Sequence, residues 1–130
     1  MKVRQQYTCP LEIVHDIIKG KWKPIIIFNL ANNRLSFSEL RRGINGITQK
    51  MLLEQLKELQ SFGLVDKKTY EGYPLKVEYF LTSRGKKILS AVWIMQEVGI
   101  EYMVEQETYF ASLQKAFATI MTGKEYLQKQ

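Results

Sequence analysis

Residues 35–64 read LSFSELRRGINGITQKMLLEQLKELQSFGL. Two helix-forming segments flank a turn. Gly43-Ile44-Asn45-Gly46-Ile47 mixes residues that accept left-handed backbone with residues that bond locally, so a helix does not run through it. Before the turn, Ser38 is placed to cap a helix over 38–43 that points Leu40 and Ile44 inward. After it, Thr48 opens a helix over 49–62. Leu52, Leu56 and Leu59 recur at i, i+4 and i+7 and make a narrow apolar stripe that Phe62 extends. Lys50, Glu54, Lys57 and Ser61 share the opposite face, and Gly63 marks the stop. Two helices joined by a tight turn form a helix-turn-helix candidate.

Downstream, residues 64–70 and 76–82 read as strands, the second alternating Val77, Tyr79 and Leu81 with Lys76, Glu78 and Phe80. The intervening Glu71-Gly72-Tyr73-Pro74-Leu75 is too long for a two-residue turn. A hairpin directly after the second helix makes the motif a winged one. Upstream, residues 10–19 form a short helix that Pro10 begins and Gly20 ends, with Leu11, Val14, Ile17 and Ile18 on one stripe. Residues 22–32 make a helix with little polar surface, hence central; Trp22 is its large core anchor, and Asn32 and Asn33 end it. Leu35-Ser36-Phe37 is an extended link.

Thr82 or Ser83 caps a long helix over 84–105, whose apolar residues cover more than one face. A last helix over 107–121 and a frayed tail follow. So much apolar surface implies a second chain. The expected interface comprises Leu89, Val92, Trp93, Met95, Val98, Tyr102, Phe110, Leu113 and Phe117. The fold expected is mainly α with a small β-hairpin, an α+β winged helix-turn-helix with long C-terminal dimerisation helices. Residues 1–130 make one domain: a winged part over 9–87, and an association part over 88–130 joined by residues 1–8.

The chain has 130 residues, 45% of them hydrophobic and 25% charged, which suits one domain with a core of its own. Its net charge of +6 is uneven: residues 1–87 hold 16 basic and 8 acidic side chains, residues 88–130 only 3 and 5. A basic front and a slightly acidic end suit a part that binds a polyanion followed by a part that associates. One Cys excludes an internal disulfide, and one Cys with one His cannot make a four-ligand thiolate/imidazole zinc site, so no metal and no cofactor are expected. A Cys9/His15 catalytic pair lacks an orienting group and an oxyanion site, so no enzyme is expected and His15 reads as a surface or packing residue. No apolar run approaches the ~20 residues of a membrane span. The first residues lack the core of a secretory signal, so a cytoplasmic protein with a reduced thiol is expected.

In a winged helix-turn-helix the second helix of the motif reads the major groove with its N-terminal residues. Thr48, Gln49 and Lys50 offer a hydroxyl, an amide that pairs with adenine and a cation for guanine or phosphate. Arg41, Arg42, Lys57, Lys67, Lys68 and Lys76 would lie along the phosphates. Thr48 is equally a good cap without DNA, Lys50 and Lys57 with Glu54 are equally a solvated face, and winged modules also bind only proteins. Double-stranded DNA and a protein partner therefore both stand at this point.

CPLEIVHDIIKGKWKPIIIFNL (9–30), RLSFSELRRGINGITQKMLLEQLKELQSFGLVDKK (34–68) and YPLKVEYFLTSRGKKIL (73–89) together resemble the HxlR family of bacterial winged-helix transcriptional regulators, relatives of the MarR regulators. The resemblance runs from about residue 9 to residue 103. It implies a homodimer built by the terminal helices, with one reading helix per protomer in successive major grooves of a near-palindromic site. It places the DNA contacts on Thr48, Gln49, Lys50 and the wing around Pro74 and Lys76. Several members of the family sense oxidants or electrophiles through a Cys at the position of Cys9. Here Cys9 precedes Pro10 at a helix start, with Lys2 and Arg4 near in sequence. A lone Cys is also often a small buried hydrophobe. The related MarR regulators further imply a small-molecule effector in a pocket between the long helices, which Trp93, Tyr102, Tyr109 and Phe110 would line.

Overall fold

The computed structural model describes residues 6–106 and 113–121. Helices α1 (Pro10–Ile18), α2 (Trp22–Asn29), α3 (Phe37–Gly43) and α4 (Gln49–Ser61) precede strands β1 (Val65–Tyr70) and β2 (Lys76–Leu81), and α5 (Ser83–Glu105) follows. Residues 113–121 are also helical. The architecture is the winged helix-turn-helix that the sequence predicts.

The core is assembled from short apolar stripes. Ile26 and Ile27 of α2, Leu40 of α3, and Leu52, Leu56 and Leu59 of α4 are wholly buried. Burial of each such side chain contributes about 1.5–3 kcal/mol. Leu64, Val65, Tyr79 and Leu81 close the core from the hairpin, and Leu89, Val92, Trp93 and Ile100 close it from α5. Trp93 meets the edge of Phe28 with ring centroids 5.0 Å apart. Trp22 is half-buried at the rim of this core rather than an anchor within it, and the Lys21 ammonium lies 4.4 Å from its ring.

Local hydrogen bonds set the element ends. Ser36, not Ser38, caps α3: its Oγ accepts from the Glu39 N–H at 3.2 Å, and the Glu39 carboxylate accepts from the Ser36 N–H at 3.0 Å. This reciprocal pair needs Ser and Glu three residues apart, which positions 36 and 39 satisfy and position 38 does not. The α2 helix ends at Asn29 rather than at 32, where the Asn29 amide donates back to the Ile25 carbonyl at 2.8 Å. Thr48 Oγ1 accepts from the Met51 N–H at 3.1 Å and caps α4. Of the two candidates for α5, Thr82 is the cap: its Oγ1 accepts from the Gly85 N–H at 3.1 Å and donates to the Gly63 carbonyl at 2.6 Å.

The strands pair antiparallel from Val65↔Leu81 to Tyr70↔Lys76. Leu35 adds an isolated antiparallel bridge to Tyr79, with bonds of 3.0 and 2.7 Å. The hairpin is thereby tied to the segment that leads into α3. At its base Gly85 packs against backbone, where a Cβ would stand 2.0 Å from the Leu64 carbonyl oxygen.

Two faces of α5 serve different ends. Leu89, Val92 and Trp93 are expected at a subunit interface, but they are 1%, 5% and 4% exposed inside the protomer's own core. The inward face of α5 packs on α2, which leaves the outward one exposed. There Met95 is 56%, Val98 45% and Tyr102 64% exposed, and Phe117 on the 113–121 segment is 49% exposed. Leu113 is half-buried against the core, and Phe110 lies outside the described residues. No described helix is long and apolar enough to cross a membrane.

One polar contact crosses the core. Lys23, in the first turn of α2, is 2% exposed. Its ammonium pairs with the Glu58 carboxylate and donates to Gln55 Oε1 at 2.8 Å, both on α4. That hydrogen bond from Lys23 holds the Glu58 carboxyl below the usual carboxylate range, against an opposing push from desolvation.

Gly85→Ala drives a methyl into the Leu64 carbonyl and lowers stability by about 3 kcal/mol. Urea unfolding at fixed protein concentration measures it, and a loss within experimental error contradicts the packing described. Glu58 gives a pH-dependent check. Its folded-state pKa is depressed, so its contribution is full above the unfolded-state value of about 4.3 and is lost as pH falls through the lower folded-state value. Glu58→Gln is therefore less stable than the parent at pH 7, and the difference shrinks below pH ~4. A difference independent of pH contradicts the pairing.

Candidate nucleic-acid interface

The geometry of α4 follows from its apolar stripe. With Leu52, Leu56 and Leu59 turned inward, Gln49, Lys50, Leu53, Glu54 and Lys57 are left exposed. Thr48 is exposed at the N-cap, so a hydroxyl, an amide and an ammonium stand side by side at one end of the helix. The first turn of α4 holds no acidic residue. The positive end of the helix dipole and the Lys50 charge therefore reinforce each other toward an anion. The Thr48 hydroxyl is committed as an acceptor to the Met51 N–H and keeps its own O–H to donate.

The turn before α4 is made by Gly46, whose φ of +82° suits glycine. Arg41 and Arg42 are exposed in the last turn of α3, where cations oppose the negative end of the helix dipole. The two helices thus meet with basic groups on both sides of the turn.

Lys67, Lys68 and Lys76 are exposed on the hairpin, and Pro74 is exposed in its loop after a cis peptide bond to Tyr73. The register places Tyr70 opposite Lys76. The Lys68 and Lys76 ammonium groups lie 5.1 and 5.4 Å from the Tyr70 ring centroid. Such exposed cation–π contacts contribute about 0.5–1 kcal/mol each and restrain long side chains without neutralising them. Lys76 also lies 3.8 Å from the Glu78 carboxylate. Lys67 projects from the other face of the sheet, with Tyr79 as its cross-strand neighbour.

Some residues at this surface are not legible as site residues in the sequence. Tyr73 is fully exposed and Leu75 is 66% exposed, which gives the hairpin loop an apolar tip between its lysines. Lys23 reaches α4 from inside the core; its one sequence signal is a charge within an otherwise apolar helix.

Cys9 is exposed and occupies the N-cap position of α1 in extended conformation, with Pro10 next and no side-chain capping bond. Glu12, in the first turn of α1, is bonded by the Thr8 hydroxyl at 2.8 Å. Lys2 and Arg4 lie outside the described residues. His15 is a surface residue whose Nδ1 lies 3.6 Å from the buried Asp16 carboxylate, which also accepts from the Tyr7 hydroxyl at 3.2 Å. Among the described residues no group of three or more His, Cys, Asp or Glu side chains is arranged to hold a metal.

The described residues expected to line an effector pocket between the long helices do not line the cavity that lies there. A cavity of about 390 Å³ opens between α2, the end of α3, α5 and the 113–121 segment, and its walls include Phe28, Asn29, Gly43, Met95 and Gln96. Neither Trp93 nor Tyr102 lines it: Trp93 is packed into the core and Tyr102 faces outward. Tyr109 and Phe110 lie outside the described residues.

Comparison with known proteins agrees with this arrangement. A family model described as HxlR-like helix-turn-helix matches residues 17–107. An uncharacterized HTH-type transcriptional regulator of Methanothermobacter thermautotrophicus is 39% identical over 102 residues, 78% of each chain. Among solved structures, the redox regulator HypR in its reduced form is similar with a TM-score of 0.70 and 39% identity, over 78% of this chain and 100% of that one. The reduced form of the transcriptional regulator YodB from B. subtilis is similar with a TM-score of 0.63 and 33% identity, over 70% of this chain and 90% of that one. With its helix-turn-helix, hairpin and long helix matched in order, the chain belongs to the HxlR-like helix-turn-helix family.

Proposed function

We propose that the chain is a transcriptional regulator that binds duplex DNA as a homodimer. Each copy sets the N-terminus of α4 in a major groove and lays its hairpin on the flanking backbone. The observation that carries this reading is the division of α4: its leucine stripe is wholly buried, and Thr48, Gln49 and Lys50 stand exposed at one end. Gln49 reads adenine, Lys50 contacts guanine or phosphate, and the Thr48 hydroxyl donates to the backbone. Arg41, Arg42, Lys57, Lys67, Lys68 and Lys76 neutralise phosphates, and the loop around Pro74 follows the groove edge. The second copy covers the apolar outward face of α5 at Met95, Val98 and Tyr102, together with Phe117. Two-fold symmetry then calls for a near-palindromic site, and the working protein sits in the compartment that holds the DNA.

A second reading adds a thiol switch at Cys9. It is supported by the exposure of that thiol and by the likeness to HypR, whose description is a redox regulator. With one Cys per chain, an oxidant such as diamide joins two Cys9 thiols from two copies, or one Cys9 and a low-molecular-weight thiol. Two thiol protons and two electrons pass to the azo bond, which becomes a hydrazine, and a disulfide forms.

Fluorescence anisotropy against the DNA upstream of the chain's own gene, at several salt concentrations, tests the first reading. Lys50→Ala reduces the magnitude of the negative slope of log K against log[salt] by about 1, and Gln49→Ala weakens specific binding by about 1–3 kcal/mol. Absence of binding to any duplex at low salt favours a winged module that binds protein instead. Diamide added to the same titration weakens binding of the parent and leaves Cys9→Ser unchanged; equal behaviour of the two removes the switch and keeps the regulator.

A further inference from the structure

Lysine is almost never fully buried unless it is paired. Lys23 is 2% exposed and sits in the first turn of α2, where the helix dipole disfavours a cation. Local propensity and burial both speak against a lysine here, and breaches of local rules of this kind gather where function demands them. Its partners explain the position. The ammonium contacts Gln55 and Glu58, which are three residues apart and so share one flank of α4, beside the leucine stripe. Gln55 is held from its other end as well, its Nε2 donating to Met51 Sδ at 3.5 Å.

The leucine stripe sets the orientation of α4 only coarsely. Apolar contact is non-directional: burial of the leucines decides which face of α4 turns inward, but it sets the fine rotation less sharply than a directional bond does. An ion pair and a hydrogen bond to one ammonium have directions. A roll of α4 by about 20° moves side-chain tips some ~2 Å around a helix of about 5–6 Å radius, which is most of a hydrogen-bond length. The exposed groups at the N-terminus of α4, Gln49 and Lys50, ride on that same rotation.

We propose that Lys23 is a positioning residue for DNA recognition: from inside the core, through Gln55 and Glu58, it sets the rotation of α4 and thereby the aim of Gln49 and Lys50. This rests on the DNA-binding reading above. The consequence is a split between specificity and stability. Buried ion pairs replaced by apolar side chains of similar volume often leave a protein as stable as before. Contacts to phosphate tolerate a small rotation better than paired bonds to a base edge do.

The test uses the full chain and a duplex that the parent protein itself selects from a random-sequence pool, beside a scrambled duplex of the same composition. In the double variant Lys23→Met with Glu58→Met, the melting temperature stays near that of the parent. Its ratio of scrambled to selected Kd falls about tenfold or more, while the scrambled Kd stays within about twofold. Lys23→Arg, which keeps the charge and the donors, retains most of the ratio. Gln55→Leu is run in parallel and lowers the ratio about threefold with the ion pair intact, so the test stands if the double variant does not fold. An unchanged ratio in the folded variants overturns the proposal. So does a parallel loss of both affinities in step with melting temperature, because that makes Lys23 a structural residue only. If the parent selects no duplex at all, the DNA-binding reading fails first and this one falls with it; a parent that selects a site and variants that match it overturn this one alone.

Discussion

The burial of Leu52, Leu56 and Leu59 is the constraint on which the surface of the molecule depends. These three side chains lie in one core with Ile26, Ile27 and Leu40, and none of them retains contact with water. An amphipathic helix has no independent choice about its other face: once the stripe is satisfied, what remains is presented outward. The exposure of Gln49, Lys50 and Lys57 is thus a by-product of packing. The capping hydroxyl of Thr48 then fixes where the helix begins, and with it where the exposed polar end lies.

The hairpin and α5 are joined to α4 by short-range contacts of the same strictness. Thr82 bonds Gly63 at the end of α4 and caps α5 through Gly85. Gly85 in turn leaves no room for a side chain against Leu64. These contacts bind the end of α4, the base of the hairpin and the start of α5 into one unit. The inner face of α5 then packs on α2, and its outer face carries exposed apolar side chains. One helix thereby links the C-terminal end of α4 to that exposed apolar surface.

How far the sequence discloses this depends on the range of the interactions involved. The α4 stripe and the alternation in the second strand are local periodicities, and both are legible. The choice between Ser36 and Ser38 as cap is local too, but it turns on the Glu39 partner three residues after Ser36. The two apolar faces of α5 look alike in sequence. Only the packing of α2 shows that Leu89, Val92 and Trp93 belong to the protomer's core while Met95, Val98 and Tyr102 stay exposed. Lys23 is the extreme case. Its partners Gln55 and Glu58 lie more than thirty positions away, and no periodicity marks a buried lysine. The stacking of Lys68 and Lys76 on Tyr70 likewise needs the strand register before it can be seen.

The central claim is that two copies of the chain present two α4 helices to one face of a duplex. Hydroxyl-radical footprinting on a duplex selected by the protein tests this most directly. The account predicts two protected backbone segments related by a dyad, with centres about 10–10.5 base pairs apart and thus one helical turn. A single protected segment, or two segments on opposite faces of the duplex, would contradict it.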